Sequence, residues 1–525
     1  MKAIKGKLFL SGIHVRDKKS LACNEKTEIM PEPAEVYISL SQSLGKPAAC
    51  IVQKGQKVKE GELIARADGA ISSDVFSSVA GEVIDIKPLA GANGNTETYV
   101  VIKGDGSGEK AYLPPLSDPS ADEIKARIRD CGIVGLGGAG FPAAVKVAPR
   151  TPVDTLILNG AECEPYLTCD HRLMLENTGE IARGARYIAK ALGVDKIIIG
   201  IEANKPDCIE AFEQFDDIQP VILKKQYPMG SEKHLIYVST GRKVGIGKLP
   251  ADSGVVVQNV ATAFAVCEAV EKGKPLYERV LTVSGGAVKQ PKNLWVKVGT
   301  KVGDIVDYCG GEVMKQVIKK DLPSIKVDNK NQKEISDNEI IEVSTVKKVV
   351  QGGPMTGLAL ATYDVYTHKT TSGVLLLNEK EAAAEEPTPC LNCGMCADVC
   401  PMHLMPMQTA FYSAAGDFES AAKLGNTLAC IECGACEYTC PAKRPLIQAI
   451  RKTKAYIRSK VNPAPAVKPV DQKGKSAPIV PLTEDGKVTK PVQEVLEKIA
   501  DNKKGNLENV KIEENRVEET KKEDK

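Results

Sequence analysis

The sequence predicts a multidomain α/β protein that carries a separate helical metal-binding module. Three observations support this. At 525 residues the chain exceeds what one hydrophobic core can hold, and about three or four domains are expected. From about residue 118 to 275, helical and β patterns alternate, which argues for a sheet covered by helices on its faces. Further on, one cysteine pattern occurs twice, separated by a stretch that reads as helix, turn, helix.

Composition narrows the function classes. The 70 basic and 68 acidic residues nearly cancel, so charge gives no argument for nucleic acid as a partner. Aromatics are scarce, with Trp295 the single tryptophan, which argues against base-stacking platforms. The opening "MKAIKGKLFLSGIHVRDKK" lacks the apolar core of a secretion signal, and no later window holds about 18 consecutive apolar residues. A soluble or peripheral protein is expected. Sixteen cysteines without a signal peptide point to metal ligation in a reducing compartment rather than to disulfides.

Residues 1–117 form the N-terminal region. Within it, "VQKGQKVKEGELIARADGAISSDVFSSVAGEVIDI" shows short β runs broken by glycine turns and resembles a lipoyl or biotinyl carrier barrel sandwich. The hairpin that would present a carrier lysine reads Ala67, Asp68, Gly69, Ala70, so a docking module is expected rather than a swinging arm.

Residues 118–275 are expected to form a Rossmann-like α/β domain. Ser120 and Glu123 open a capped helix, and "CGIVGLGGAGFPAAVK" follows, with Gly135, Gly137 and Gly140 in G-x-G-x-x-G spacing. Pro142 suits the first position of a helix, whose free amides would face an anion. A helix rather than a strand precedes the glycines, so these residues alone leave a phosphate cradle and a tight turn both open. After the β run "DTLILNG" come Glu162 and Glu164, placed where a ribose-binding acid or a solvated acidic loop would lie. In "VVVQNVATAFAV", Gln258 and Asn259 stand inside an apolar helix start, and buried amides there need partners.

The cysteine arrays are "CLNCGMCADVCP" at 390–401 and "CIECGACEYTCP" at 430–441, each C-x2-C-x2-C-x3-C-P. Three thiolates at this spacing take three corners of a cubane, and the proline redirects the fourth to the neighbouring cluster. Cys390, Cys393, Cys396 and Cys440 are therefore expected to hold one [4Fe–4S] cluster, and Cys430, Cys433, Cys436 and Cys400 the other. Paired zinc knots do not need this crossed arrangement. His403 lies between the arrays and is read as a surface or packing residue, and the other eight cysteines as small buried apolar groups.

In order, "GLGGAGFPAAVK", "NGAECEP", "YPMGSE" and "VVVQNVAT" resemble the NADH-binding flavoprotein subunit of respiratory complex I. The whole-chain order, from an opening "GIH" through barrel, flavin domain, cluster motifs and charged tail, is closer to the C subunits of Rnf ion-translocating ferredoxin:NAD oxidoreductases. This resemblance implies FMN, two [4Fe–4S] clusters and NAD(H) as substrate. Gly135, Gly137, Gly138, Gly140 and Lys146 would line the FMN phosphate and ribityl side, joined by Asn159, Asn259 and Thr262. Phe141 would stack near the NAD adenine, Glu162 and Glu164 would sit at the nicotinamide side, and Tyr227, Gly230 and Glu232 would border the flavin ring. Two positions depart from the complex I pattern: Ala161 replaces an acid, and Ser231 the first of two glutamates.

The resemblance also makes 276–378 a β-grasp module of the soluble-ligand-binding type with a connecting segment, and 379–458 a helical two-cluster ferredoxin domain. Residues 459–525, rich in Pro, Lys and Glu, read as a disordered charged tail with one short helix at "PVQEVLEKIADNKK". Implied partners are the other subunits of a membrane-bound complex, through which ferredoxin supplies electrons, and the implied location is peripheral, on the cytoplasmic face of the bacterial inner membrane. NAD takes an electron pair as hydride whereas each cluster passes one electron, so a flavin must join them. Two alternatives stand beside this reading: a soluble flavin and iron–sulfur NADH reductase such as a corrin reductase, disfavoured by the leading barrel, and an electron-wire scaffold with degenerate flavin motifs, disfavoured by the intact glycines.

Overall fold

Five parallel strands build the central sheet, in the spatial order Ile4–Lys5, Ile218–Leu223, Lys196–Glu202, Thr155–Gly160, Val255–Asn259. The structure is a computed structural model and describes residues 1–8, 11–318, 340–382 and 386–461. The inner strands are apolar on both faces, as a parallel sheet covered on two sides requires. Leu156 and Leu158 pack against helices Thr178–Leu192 and Val260–Lys272, while Ile157 faces Leu235 and Ile236 of helix Glu232–Thr240.

The run "VVVQN" is a strand, not the helix start expected for Gln258 and Asn259. Three consecutive β-branched valines favour the extended form, and Asn259 then caps helix Val260–Lys272 by accepting from the Ala261 amide at 2.8 Å. Helix Ala121–Asp130 has the expected capping box, Ser120 with Glu123. Pro142 stands one position earlier than expected, at the N-cap of the short helix Ala143–Lys146.

The barrel consists of a four-stranded sheet, Glu35–Ser39, Thr96–Gly104, Gly81–Ala90 and Lys57–Val58, against a three-stranded one, Ala49–Cys50, Leu63–Arg66 and Val75–Phe76. Residues 67–70 form the connection between two of its strands. Other parts of the N-terminal region serve other sheets. Ile4–Lys5 edges the central sheet, and Glu28–Ile29 pairs with Leu294–Trp295 at the edge of a six-stranded mixed sheet. That sheet also contains Glu278–Ser284, Gly373–Asn378 and Val346–Gln351, with helix Val302–Tyr308 packed on it.

The cysteine module is helical: Met395–Asp398, Pro406–Ala414, Phe418–Leu424, Ala435–Thr439 and Leu446–Val461. Its two arrays repeat the same backbone course. Left-handed residues recur at matching positions, Asn392 and Glu432, Gly394 and Gly434, His403 and Lys443. The last helix continues to Val461, past the start at 459 expected for the tail, and the remaining residues, including the expected helix near 491–504, lie outside the described residues.

Candidate redox site

The strand order reverses between Thr155–Gly160 and Val255–Asn259, and the crevice at such a reversal is where open α/β sheets bind ligands. Asn259 ends its strand and pairs in register with Asn159, one residue before the end of the other. The glycine loop lies over the crevice: a β-carbon added to Gly137 would stand 3.4 Å from that of Asn259. Gly137 and Gly138 are exposed, whereas the loop's base is tied down. The Leu136 amide donates to the Thr262 hydroxyl at 3.0 Å, and the Gly135 amide to the Phe141 carbonyl at 2.8 Å. Asn159 donates to the Gly230 carbonyl at 2.8 Å, which brings the "YPMGSE" turn to the far wall. Lys146 reaches from the loop side to the Glu232 carboxylate and, at 3.1 Å, to the Val257 carbonyl.

Asn259 also donates to Asp170 at 2.7 Å. Burial, reinforced by Glu162, pushes the Asp170 carboxyl up to about 6. Gln258 projects to the same sheet face as Val256, which belongs to the core that also takes in Leu136 and Ala143 of the glycine-loop segment. It is 1% exposed, yet neither amide atom has a hydrogen-bond partner among the described residues. An unpaired buried amide and an open glycine turn fit a polar guest such as FMN.

The eight array cysteines gather as the spacing requires. Cys390, Cys393, Cys396 and Cys440 line one cavity, closed by Met407 and Leu446; Cys400, Cys430, Cys433 and Cys436 line a second, closed by Leu404 and Ile450. Burial raises the Cys396 and Cys430 thiols and pushes Cys433 up to about 11, with neighbouring cysteines of the same quartet adding to the shift. Four soft donors around a void fit a [4Fe–4S] cluster, whose positive iron would bring these thiols to the thiolate form. His403 is exposed and lies outside both cavities. Of the other eight cysteines, five are buried, and Cys23, Cys50 and Cys163 are half-buried.

The second quartet abuts the crevice. Tyr227, on the "YPMGSE" turn, donates its hydroxyl to the Cys433 carbonyl at 2.6 Å. The "GIH" segment closes the seam: Ile13 exchanges two backbone bonds with Tyr227, at 2.8 and 2.9 Å, while the Gly12 amide reaches the Val399 carbonyl at 3.1 Å. His234 Nε2 donates to the Pro401 carbonyl at 3.0 Å.

Four family models match successive parts of the chain: the RnfC barrel sandwich hybrid domain at 7–107, the Nuo51 FMN-binding domain at 128–268, the SLBB domain at 280–315 and a 4Fe-4S dicluster domain at 389–444. The C subunit of the proton-translocating ferredoxin:NAD(+) oxidoreductase complex of Clostridium ljungdahlii is 41% identical over 86% of this chain and 94% of its own length. Its counterpart in the Na(+)-translocating complex of Acetobacterium woodii is 38% identical over 86% and 98%. The chain belongs to the RnfC family, the C subunits of ion-translocating oxidoreductase complexes. A solved NAD+-reducing [NiFe]-hydrogenase aligns over 76% of this chain and 69% of its own, at 20% identity and a TM-score of 0.41.

Within this RnfC fold, the residues expected from sequence divide. Gly135, Gly137, Gly138, Lys146, Asn159, Gly230, Glu232 and Asn259 surround one crevice. Thr262 is fully buried and spends its hydroxyl on Leu136 and Val134, so it holds the loop from behind. Gly140 packs against Thr370, and Phe141 is half-buried beside it.

The two glutamates are not open to solvent. The Glu162 side chain is 4% exposed; it accepts from the Asp170 amide at 2.7 Å and meets Lys19 at 3.4 Å. Glu164 accepts from the Met355 amide at 3.1 Å and from the Thr356 hydroxyl, and burial raises its pKa. Tyr227 spends its hydroxyl on the cluster loop. Lys19, Asp170 and Lys205 escape sequence reasoning. Lys205 is 1% exposed and donates to the Ala161 carbonyl at 2.6 Å, so with Lys19 it fixes the turn from both sides. A lysine's burial leaves no local pattern by which it could have been found.

Proposed function

We propose that this chain is the NAD-binding, FMN- and iron–sulfur-bearing electron-transfer subunit of a membrane-bound, ion-translocating ferredoxin:NAD+ oxidoreductase. FMN, when bound, supplies the exchange between the electron pair of NAD(H) and the single electrons of [4Fe–4S] clusters. The observation that carries the reading is the Tyr227–Cys433 hydrogen bond, which joins the wall of the crevice to the ligand loop of the second quartet. The glycine loop, Asn159 and Asn259 hold the flavin side, with Lys146 supplying positive charge. Glu162 and Glu164, braced by Lys19 and the 355–356 turn, shape the wall for the nicotinamide, and Phe141 lies on the adenine side.

The order of the clusters follows from this seam. The second quartet is the flavin-side centre. Cys390 and Cys393 of the first quartet are exposed, so that centre faces the partner subunits through which ferredoxin electrons arrive. Among the described residues no helix is long and apolar enough to cross a membrane. Ion passage is assigned to other subunits, and this chain to the cytoplasmic face, where NAD(H) and ferredoxin are available.

Cys393→Ala and Cys433→Ala test the reading. Each is expected to lose about four of eight irons while keeping flavin. NADH should still bleach the remaining cluster in Cys393→Ala at the wild-type rate, but much more slowly in Cys433→Ala, with dithionite reducing both. Equal NADH bleaching in the two variants would refute the proposed order, and full iron content in either would refute the ligand assignment.

A further inference from the structure

Two buried cations lie under the glycine loop, and among the described residues their oxygen acceptors are main-chain carbonyls; the Cys169 thiol also bonds Arg279, and the Phe76 ring centre stands 5.6 Å from the Lys369 ammonium. Lys369 is 1% exposed, and its ammonium donates to the carbonyls of Asp74 at 2.7 Å and Gly132 at 2.8 Å. Arg279 is 4% exposed and donates to the carbonyls of Lys369 at 2.8 Å, Val280 at 3.1 Å and Leu136 at 3.4 Å. Gly132 opens the loop segment, and Leu136 stands between Gly135 and Gly137. Among the described residues, no carboxylate lies within the 4.0 Å ion-pair distance of either cation. Carbonyl dipoles satisfy their hydrogen bonds but do not cancel their charge, and an uncancelled buried charge is costly. Burial accordingly lowers both groups, Lys369 to about 7 against the opposing pull of Asp74, and Arg279 against Cys169 and Asp170.

We propose that Lys369 and Arg279 form a bed of positive charge beneath the glycine loop, kept charged and completed by an anionic group bound on the loop's exposed side. Under the function proposed above, on which this inference rests, that group is the FMN phosphate. The loop supplies amides at Gly137 and Gly138, and the cations behind it supply net charge that amides lack. The barrel holds one of these cations in place. Asp74 accepts from Lys369, Gln42 accepts the Lys369 amide at 2.8 Å, and the barrel's Leu44 amide donates to the Gly140 carbonyl at 2.9 Å. The barrel, whose hairpin has no carrier lysine, thus gains a task, bracing the charged floor of the flavin site.

The test compares FMN with riboflavin, which lacks the phosphate. In full-length protein with its clusters reconstituted and flavin removed, Lys369→Met keeps chain length and removes the charge. FMN affinity should fall by roughly tenfold while riboflavin affinity stays unchanged. Equal loss of both ligands, or no loss of either, would overturn the proposal, because a merely structural lysine does not read the phosphate. Should Lys369→Met fail to keep its clusters, the wild-type flavin-free protein decides. Inorganic phosphate should raise its unfolding temperature above that in chloride of equal ionic strength, and absence of that shift would overturn the proposal. A wild-type protein that binds neither flavin would instead refute the flavin reading itself, and this inference with it.

Discussion

Gly140 and Gly137 do different work in the same loop, and substitutions should separate them. Gly140 has a φ of 62°, and a β-carbon there would come within 2.6 Å of Thr370 Cγ2. Alanine at 140 incurs about 1–2 kcal/mol for the left-handed backbone. Overpacking against Thr370 adds about 1–3 kcal/mol, and the total is roughly 2–5 kcal/mol. Thr370→Ser removes the clashing methyl, so the double variant should regain the overpacking share while the backbone cost remains. Gly137 needs no positive φ, and its added β-carbon would sit at ordinary contact distance, 3.4 Å from Asn259. Gly137→Val should therefore leave the fold intact, fill the gap between loop and Asn259, and abolish flavin binding. Urea unfolding followed by circular dichroism measures the first effect. Flavin released on denaturation, with the visible spectrum before and after NADH, measures the second. A Gly140→Ala variant within about 0.5 kcal/mol of wild type, or no coupling to Thr370→Ser, would refute the packing argument. Full flavin content with undiminished NADH bleaching in Gly137→Val would refute the cradle.

Two further outcomes are expected. Deleting 462–525 should change neither cofactor content nor NADH oxidation with an artificial acceptor; loss of FMN would show that the tail contributes to the site. Asp170 has its pKa raised from 3.8 to about 6, so its contribution to stability is fully present below about pH 3.8 and is lost as pH rises through about 6. Between pH 5 and pH 7, wild type should lose roughly 1–1.5 kcal/mol relative to Asp170→Asn. Parallel denaturation curves at the two pH values would show that the buried carboxyl does not titrate as its surroundings demand.

The legible features are those that a short window of chain specifies. The two arrays sort their cysteines into crossed quartets because ligand spacing and a following proline fix the local path, and the shared left-handed positions at Asn392 and Glu432 display that repeated course. The strands Thr155–Gly160 and Val255–Asn259 are readable because apolar β runs of this length, separated by helical periods, have few other uses. Even here, three valines outweighed the expected helix start at Gln258.

What packing decided lies between residues far apart in sequence. Glu162 and Glu164 look like free acids beside a ligand, yet Lys19, 143 residues earlier, and Thr356, 192 residues later, occupy them. Tyr227 reads as a flavin neighbour, but its hydroxyl goes to Cys433, 206 residues away. Lys369 carries no motif at all. It becomes notable because the chain, over a separation of 237 residues, brings its ammonium under Gly132, where water is excluded and a charge that would be ordinary at the surface demands a counterpart. Periodicity and ligand spacing report the backbone a segment prefers; which buried charge meets which carbonyl depends on how the domains close on one another, and no local window carries that information.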